Sequence, residues 1–343
     1  LKTSEELAAK KGEMSPRQSE AYRLLEMGDK NGVLELLPRD ELLEDIRRNR
    51  RFAKNATAPI ETNIEEIATR IAALKMGELN GDTVAEIMMF YKEIYDICDT
   101  RNVGWSKLYD YALFLHDLRC YAKAIEVAEK LNWYYSAPGR KVDEYDLGSL
   151  YNLLGILYKA QNQRDKAEKY LLAAIDIYER LVKKNAEAYE SSLAMSCYNA
   201  GNFYSAQGQS DKAEKYSLAA IEIYERLVKR NPEAYEPYLA MSCYNTGLFY
   251  HKHGQSEKAE KYYLAAIEIR KRLVEKNAEA YEPDLAGSYN NAGALYHKQN
   301  QPEKAEKYYL AAIEITERLA KKNADAYEQD LAGSYYNVGI FYS

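Results

Sequence analysis

Residues 244–266 read YNTGLFYHKHGQSEKAEKYYLAA, and closely related strings recur before and after them. KAEKY stands at 166–170, 212–216, 258–262 and 304–308, a constant step of 46 residues. Gly155, Gly201, Gly247, Gly293 and Gly339 keep that step, and so do Tyr158, Tyr204, Tyr250, Tyr296 and Tyr342. The connecting strings NAEAYE, NPEAYE, NAEAYE and NADAYE begin at 185, 231, 277 and 323. Such a period marks an array in which each unit buries its faces only against its neighbours. Four full repeats and the start of a fifth fill 150–343.

Each repeat reads as two helices. In residues 255–277, Ala259, Tyr262, Tyr263, Ala266, Ile267, Ile269 and Leu273 recur at three- and four-residue steps, one apolar stripe. Gly254 separates the two helices. Ser256 suits the N-cap, with Glu257 in the first turn, and the equivalent Pro302 sits where a missing N–H costs little. Asn277 and Asn323 fall where the second helix stops. Gly247, Ala259 and Ala266 remove bulk where the helices approach, and Tyr250 fills the space beside them. The pattern predicts an all-α protein, a right-handed α-solenoid of antiparallel helix pairs.

The offsets Gly247, Tyr250, Ala259 and Ala266, and likewise Gly201, Tyr204, Ala213 and Ala220, resemble the tetratricopeptide repeat, with its G-x2-Y-x8-A-x6-A spacing. The usual Trp slot departs, holding Tyr151, Cys197, Cys243, Tyr289 and Tyr335. The closing proline is absent, and each repeat exceeds the usual length of about 34 residues, which lengthens both helices. Repeats this long are similar to those of kinesin light chains and of bacterial tetratricopeptide proteins with near-identical repeats. The period alone also allows HEAT-type repeats; the Gly/Tyr/Ala/Ala offsets argue against them.

Upstream the pattern weakens. Residues 64–149 read as divergent repeats, with Ala112, Leu115 and Ala124 in one and Ala73 and Ala85 in the small-residue slots of another. Residues 1–63 read as a helical cap, with 57–63 the best hinge. The chain begins at Leu1 rather than Met, which fits a piece of a longer protein.

Composition narrows the function. The chain is 47% hydrophobic and 29% charged, with few Gly (17) and Pro (8) but 33 Tyr. Its net charge of −6 comes from interleaved acids and bases, which disfavours a nucleic-acid partner. No apolar run near 18 residues or signal-peptide core is present, so we expect a cytoplasmic protein that does not enter a membrane. Cys98, Cys120, Cys197 and Cys243 show no CxxC or disulfide spacing; Cys197 and Cys243 read as buried small hydrophobes. No P-loop, GxSxG, HExxH or GxGxxG occurs, and His116, His251, His253 and His297 bring no metal-ligand set. We expect no enzyme, no cofactor and no metal.

The family resemblance implies that the first helix of each pair lines a concave groove that holds extended peptides. The row there is Met241, Tyr244 or Asn245, Leu248, and His251 with Lys252. Stepped by one repeat it becomes Asn199, Asn245, Asn291 and Asn337, with Tyr198, Tyr244 and His297 beside it. A neutral amide can both donate to and accept from a peptide backbone. The alternative is that these asparagines bond neighbouring backbone. Tyrosines of the array read as packing more than as a binding strip, and the KAEKY charges as a solvated face. The basic clamp of chaperone-binding members looks absent, since Asn152, Tyr198, Tyr244 and Asn290 hold the preceding position. Lys252 and Lys298 leave a weak preference for acidic ligands. His251 and His253 point about 200° apart on a helix and do not converge on one ion. We expect a protein- or peptide-binding scaffold. The alternative is a self-association or sensor module of a larger bacterial signalling protein, joined through the array ends or the convex face, with Tyr335, Val338, Ile340 and Phe341 expected to be exposed at one end.

Overall fold

The computed structural model describes residues 15–52, 58–101 and 104–343. Sixteen helices and no strands form among them. The chain divides into two compact units, Leu1–Val142 and Asp143–Ser343.

The first unit contains Pro16–Glu26 (α1), Lys30–Leu36 (α2), Arg39–Phe52 (α3), Ala58–Lys75 (α4), Gly81–Arg101 (α5), Lys107–Asp117 (α6) and Tyr121–Tyr135 (α7). Ser15 and Gln18 cap α1 reciprocally, and Asp29 accepts from the Gly32 N–H to start α2. Val33, Leu37, Leu42, Ile46, Ile67 and Ile71 are buried together with Arg70. The Arg70 guanidinium donates to the carbonyls of Leu34 (3.1 Å) and Leu37 (2.6 Å) and pairs with Glu86 at 2.6 Å. Residues 58–63, expected within a hinge, are instead the opening turns of α4; position 57 lies outside the described residues. Ala73, Ala112, Leu115 and Ala124 are fully buried as expected, but Ala85 is exposed near the start of α5 and occupies no packing slot.

The second unit is the array: Glu144–Ala160 (α8), Arg164–Lys184 (α9), Ala186–Ala206 (α10), Ser210–Arg230 (α11), Pro232–Lys252 (α12), Ser256–Lys276 (α13), Ala278–Lys298 (α14), Pro302–Lys322 (α15) and Ala324–Tyr342 (α16). Within each pair the turn needs one left-handed residue, supplied by Asn162, Gly208, Gly254 and Asn300 in turn, with φ between 55° and 71°. The second helix starts at N-caps Gln163, Gln209, Gln255 and Gln301, none capping through its side chain, so Ser256 is the first helical residue rather than the cap. Between pairs a single extended asparagine does everything. Asn277 donates its N–H to Leu273 O, ending α13, and its side chain accepts from Ala280 N to begin α14. Asn185, Asn231 and Asn323 do the same. The residues added per repeat thereby become helix: most array helices are 21 residues long.

Packing follows the expected small and large positions. A Cβ on Gly247 would lie 2.6 Å from the Tyr263 ring, and one on Gly201 3.0 Å from the Ser217 backbone. Tyr250 is buried and stacks on Tyr262 with ring centroids 5.6 Å apart. Its hydroxyl donates to Glu214 of the preceding repeat at 2.7 Å, and Lys258 reaches the same carboxylate at 3.0 Å. Tyr204 with Glu168 and Tyr296 with Glu260 repeat the tie. The glutamate of KAEKY is therefore an inter-repeat acceptor and not simply a solvated charge. A second tie uses buried Glu190, Glu236 and Glu282, which receive Arg226 with Arg230, Arg272 with Lys276, and Arg318.

Candidate peptide-binding surface

Each first helix of the array also touches the next: α8 meets α10, α10 meets α12, α12 meets α14, and α14 meets α16. These helices therefore share one face, and the asparagine row runs along it. Asn199 donates to Asn152 Oδ1 at 3.1 Å, Asn245 to the Tyr198 hydroxyl at 2.6 Å, and Asn291 to the Tyr244 hydroxyl at 2.6 Å. Only Asn291 also bonds its own helix, at Gly287 O (3.0 Å). The row is thus a ladder from repeat to repeat, each amide tied to the helix before it and half-buried. Asn337 continues it at the rim of two cavities.

Tyr198 and Tyr244 are half-buried, and burial is the main reason their phenols resist ionisation beyond the ordinary range. Leu248 stands exposed on the same face of α12. His251 lies 3.3 Å from the Tyr263 hydroxyl. Burial, and then the Lys298 charge, hold its proton affinity below the usual imidazole value. His253 turns away, its Nδ1 2.8 Å from Phe249 O, so the two histidines do not converge. Lys252, His297 and Lys298 are exposed, and His297 meets the Phe341 ring edge-on at 5.3 Å. On α16, Tyr335 and Ile340 are exposed, whereas Phe341 and Val338 pack beside Tyr296 and Tyr309. Cys197 and Cys243 are buried, and burial pushes their thiols up to about 12. No group of three His, Cys, Asp or Glu side chains able to hold a metal gathers among the described residues. Nor is any helix among them long and apolar enough to cross a membrane.

One buried charge beside this face does not follow from the apolar pattern of the sequence. Arg270, on α13, is 5% exposed and lies under the Tyr244 ring at 4.5 Å. It donates to Asp284 O at 2.9 Å and to Ser288 Oγ, with the Asp284 carboxylate 3.7 Å away. Burial lowers its pKa, and Asp284 opposes the shift. The signal was present: stepped by one repeat, the column runs Tyr178, Tyr224, Arg270, Thr316. A change of chemistry in an otherwise regular column marks a special joint. A cavity of about 490 Å³ lies at the Thr316 joint, and another of about 380 Å³ lies beside His297, Lys298 and Asn337.

Two tetratricopeptide repeat profiles match this unit, one over 147–185 and 193–233, the other over 238–318. Among solved structures, the apo form of RapI is 16% identical, spans 95% of this chain and 81% of its own, and superposes with a TM-score of 0.63. A Rap protein complexed with Competence and Sporulation Factor is 16% identical over 96% and 80%, with a TM-score of 0.54. A Podosopora anserina putative kinesin light chain with nearly identical repeats is 16% identical over 64% and 99%, with a TM-score of 0.50. No curated protein sequence matches. At such identities the neighbours speak for the fold alone. With its period, its Gly/Tyr/Ala/Ala packing and these matches, the chain is a tetratricopeptide-repeat protein with long, 46-residue repeats.

Proposed function

We propose that the array is a non-catalytic protein-binding scaffold that takes an extended segment of its partner along the first-helix face. The observation that carries this reading is the asparagine ladder. Asn245 commits one N–H to Tyr198, and no protein group among the described residues takes its carbonyl oxygen. The same holds for Asn291 with Tyr244. Each amide is fixed in orientation with an acceptor outward, so little rotamer freedom is lost when a partner N–H arrives. Helices packed at about 8–10 Å present one acceptor per repeat, and an extended chain rises about 3.3 Å per residue. A partner backbone would meet an amide at about every third residue. Each bond contributes about 0.5–1.5 kcal/mol net, so several are needed for about micromolar affinity. A related fold carries a bound partner in the Rap protein complexed with Competence and Sporulation Factor; nothing about the partner's identity transfers.

The test is selection from a displayed peptide library, followed by titration of the winners against the native chain and Leu248→Glu. Leu248 is exposed on this face and takes no part in the ladder. A loss of ten-fold or more supports the reading, whereas unchanged binding removes it. Light scattering on the same samples separates the alternative: concentration-dependent dimers with no selected peptide would favour self-association.

A further inference from the structure

The repeats supply their own control for the cavity at the Thr316 joint. Position by position, Thr316 stands where Arg270 stands one repeat earlier, Asn290 where Tyr244 stands, and Gly287 where Met241 stands. All three replacements remove bulk at one place, and there the cavity of about 490 Å³ is found, bordered by Gly287, Asn290, Thr316, Asp330 and Asn337.

The groups that hold the Arg270 guanidinium are nevertheless retained. Asp284 corresponds to Asp330, and Ser288 to Ser334. Ser334 is fully buried and donates to Asp330 O at 3.1 Å, as Ser288 does to Asp284 O at 3.2 Å. The aspartate is absent from the two tyrosine joints. Where the column holds Tyr178 or Tyr224, the residue fourteen positions on is Ser192 or Tyr238; only Arg270 and Thr316 face an aspartate. One further group asks for a donor. Asn290 gives its N–H to Ser334 Oγ at 2.9 Å, while its Oδ1 is buried and no protein donor reaches it. A buried acceptor without a donor is costly, and a cation beside a carboxylate and two neutral oxygens is well satisfied. Thr316 leaves its own hydroxyl proton on its helix, at Ala312 O and Ile313 O, so the side chain offers the cavity only acceptor capacity.

We propose that this cavity between α14, α15 and α16 is a recognition pocket for an arginine side chain of the partner, its guanidinium taking the place that Arg270 fills within the preceding repeat. The proposal rests on the scaffold reading and adds a side-chain preference to it. A guanidinium suits better than an ammonium, because its flat fork reaches a carboxylate, a main-chain carbonyl and an amide oxygen together.

The probe is N-acetyl-arginine amide, titrated to tens of millimolar by NMR against the full chain, with N-acetyl-citrulline amide as the neutral isostere and N-acetyl-lysine amide as the point charge. We expect saturable shifts on α14–α16 with arginine, and binding weaker by about ten-fold or more with citrulline. Asp330→Asn, a surface change, should weaken arginine to a similar degree. Thr316→Arg should abolish binding by filling the pocket from within. No saturable arginine binding, or equal binding of arginine and citrulline, or an unaffected Asp330→Asn, overturns the pocket whether or not Thr316→Arg folds. The two proposals fail separately. Library peptides that bind without arginine enrichment, with no arginine amide binding, leave the scaffold and remove the pocket. Arginine amide binding without any selected peptide does the reverse.

Discussion

The two units use polar chemistry in opposite ways. In Asp143–Ser343 one device is copied: a tyrosine hydroxyl on the glutamate of the preceding repeat, at 168, 214 and 260. Among the described residues of the amino-terminal unit the ties differ from one another, as with Arg70 on Glu86 and on the Leu34 and Leu37 carbonyls, or Lys107 on Glu65. A copied contact distributes stability over many equal joints, whereas a unique one concentrates it. Copying also makes deviation informative. Arg70 is unremarkable as a buried pair, while Arg270 and Thr316 stand out because Tyr178 and Tyr224 set the expectation.

The contrast can be broken at its strongest point with Arg70→Ala, which strands Glu86 and two carbonyls. We expect a loss of about 3–5 kcal/mol from the amino-terminal unit. Both tryptophans, Trp105 and Trp133, lie in that unit. Urea unfolding followed by tryptophan fluorescence should therefore shift, while far-UV circular dichroism keeps an unshifted array transition.

Within the array, Gly247→Val drives a side chain into Tyr263 and should cost about 1–3 kcal/mol. Gly287→Ala meets only the Tyr244 hydroxyl at 4.0 Å and should be neutral or stabilising by up to about 1 kcal/mol. Equal effects in urea unfolding would mean that the two glycines are not doing different jobs. A smaller step is Tyr250→Phe, which removes one copied bond and should cost about 0.5–1.5 kcal/mol. Combined with Tyr204→Phe it should be additive, because each bond joins a different pair of repeats.

Acid should weaken the array more than the amino-terminal unit, which has depressed carboxyls of its own, Glu20 held low by Arg23 and Glu126 by Lys123, but also two raised ones. Bonds from Lys212 and Tyr204 to Glu168, and from Tyr250 and Lys258 to Glu214, hold these carboxyls below the ordinary 4.5. Their folded pKa is depressed, so their contribution is complete above about 4.5 and is lost as pH falls further. His251 is also depressed, so the array begins to weaken as pH falls through 6.5. In the amino-terminal unit burial raises Glu66 and Asp110, so the folded form binds protons first and gains stability as pH falls toward 4.5 and 3.8. Thermal melts from pH 7 to 4 should show the array transition dropping relative to the tryptophan-reported one.

The fold was legible because repetition turns one ambiguous helix pattern into four concordant ones. Gly247, Tyr250, Ala259 and Ala266 each do what their size and spacing implied. The cap was misplaced by one residue because Gln255, not Ser256, precedes the helix and caps with its backbone alone. Ala85 misled because, outside the exact repeats, one alanine carries no register. The asparagine row was legible in the sequence but its hydrogen bonds were not: which oxygen Asn245 reaches depends on how the preceding first helix stacks, a distance of 47 residues in sequence. Arg270 was hidden because a lone arginine on a charged helix reads as solvated until its column is compared.

The first helices are proposed to form the binding face. Hydrogen–deuterium exchange of the full chain, with and without a library-selected peptide, tests it directly. New protection is expected along α10, α12 and α14, extending to α16 for arginine-bearing peptides. Protection confined to α11 and α13, or to residues 15–142, would contradict it.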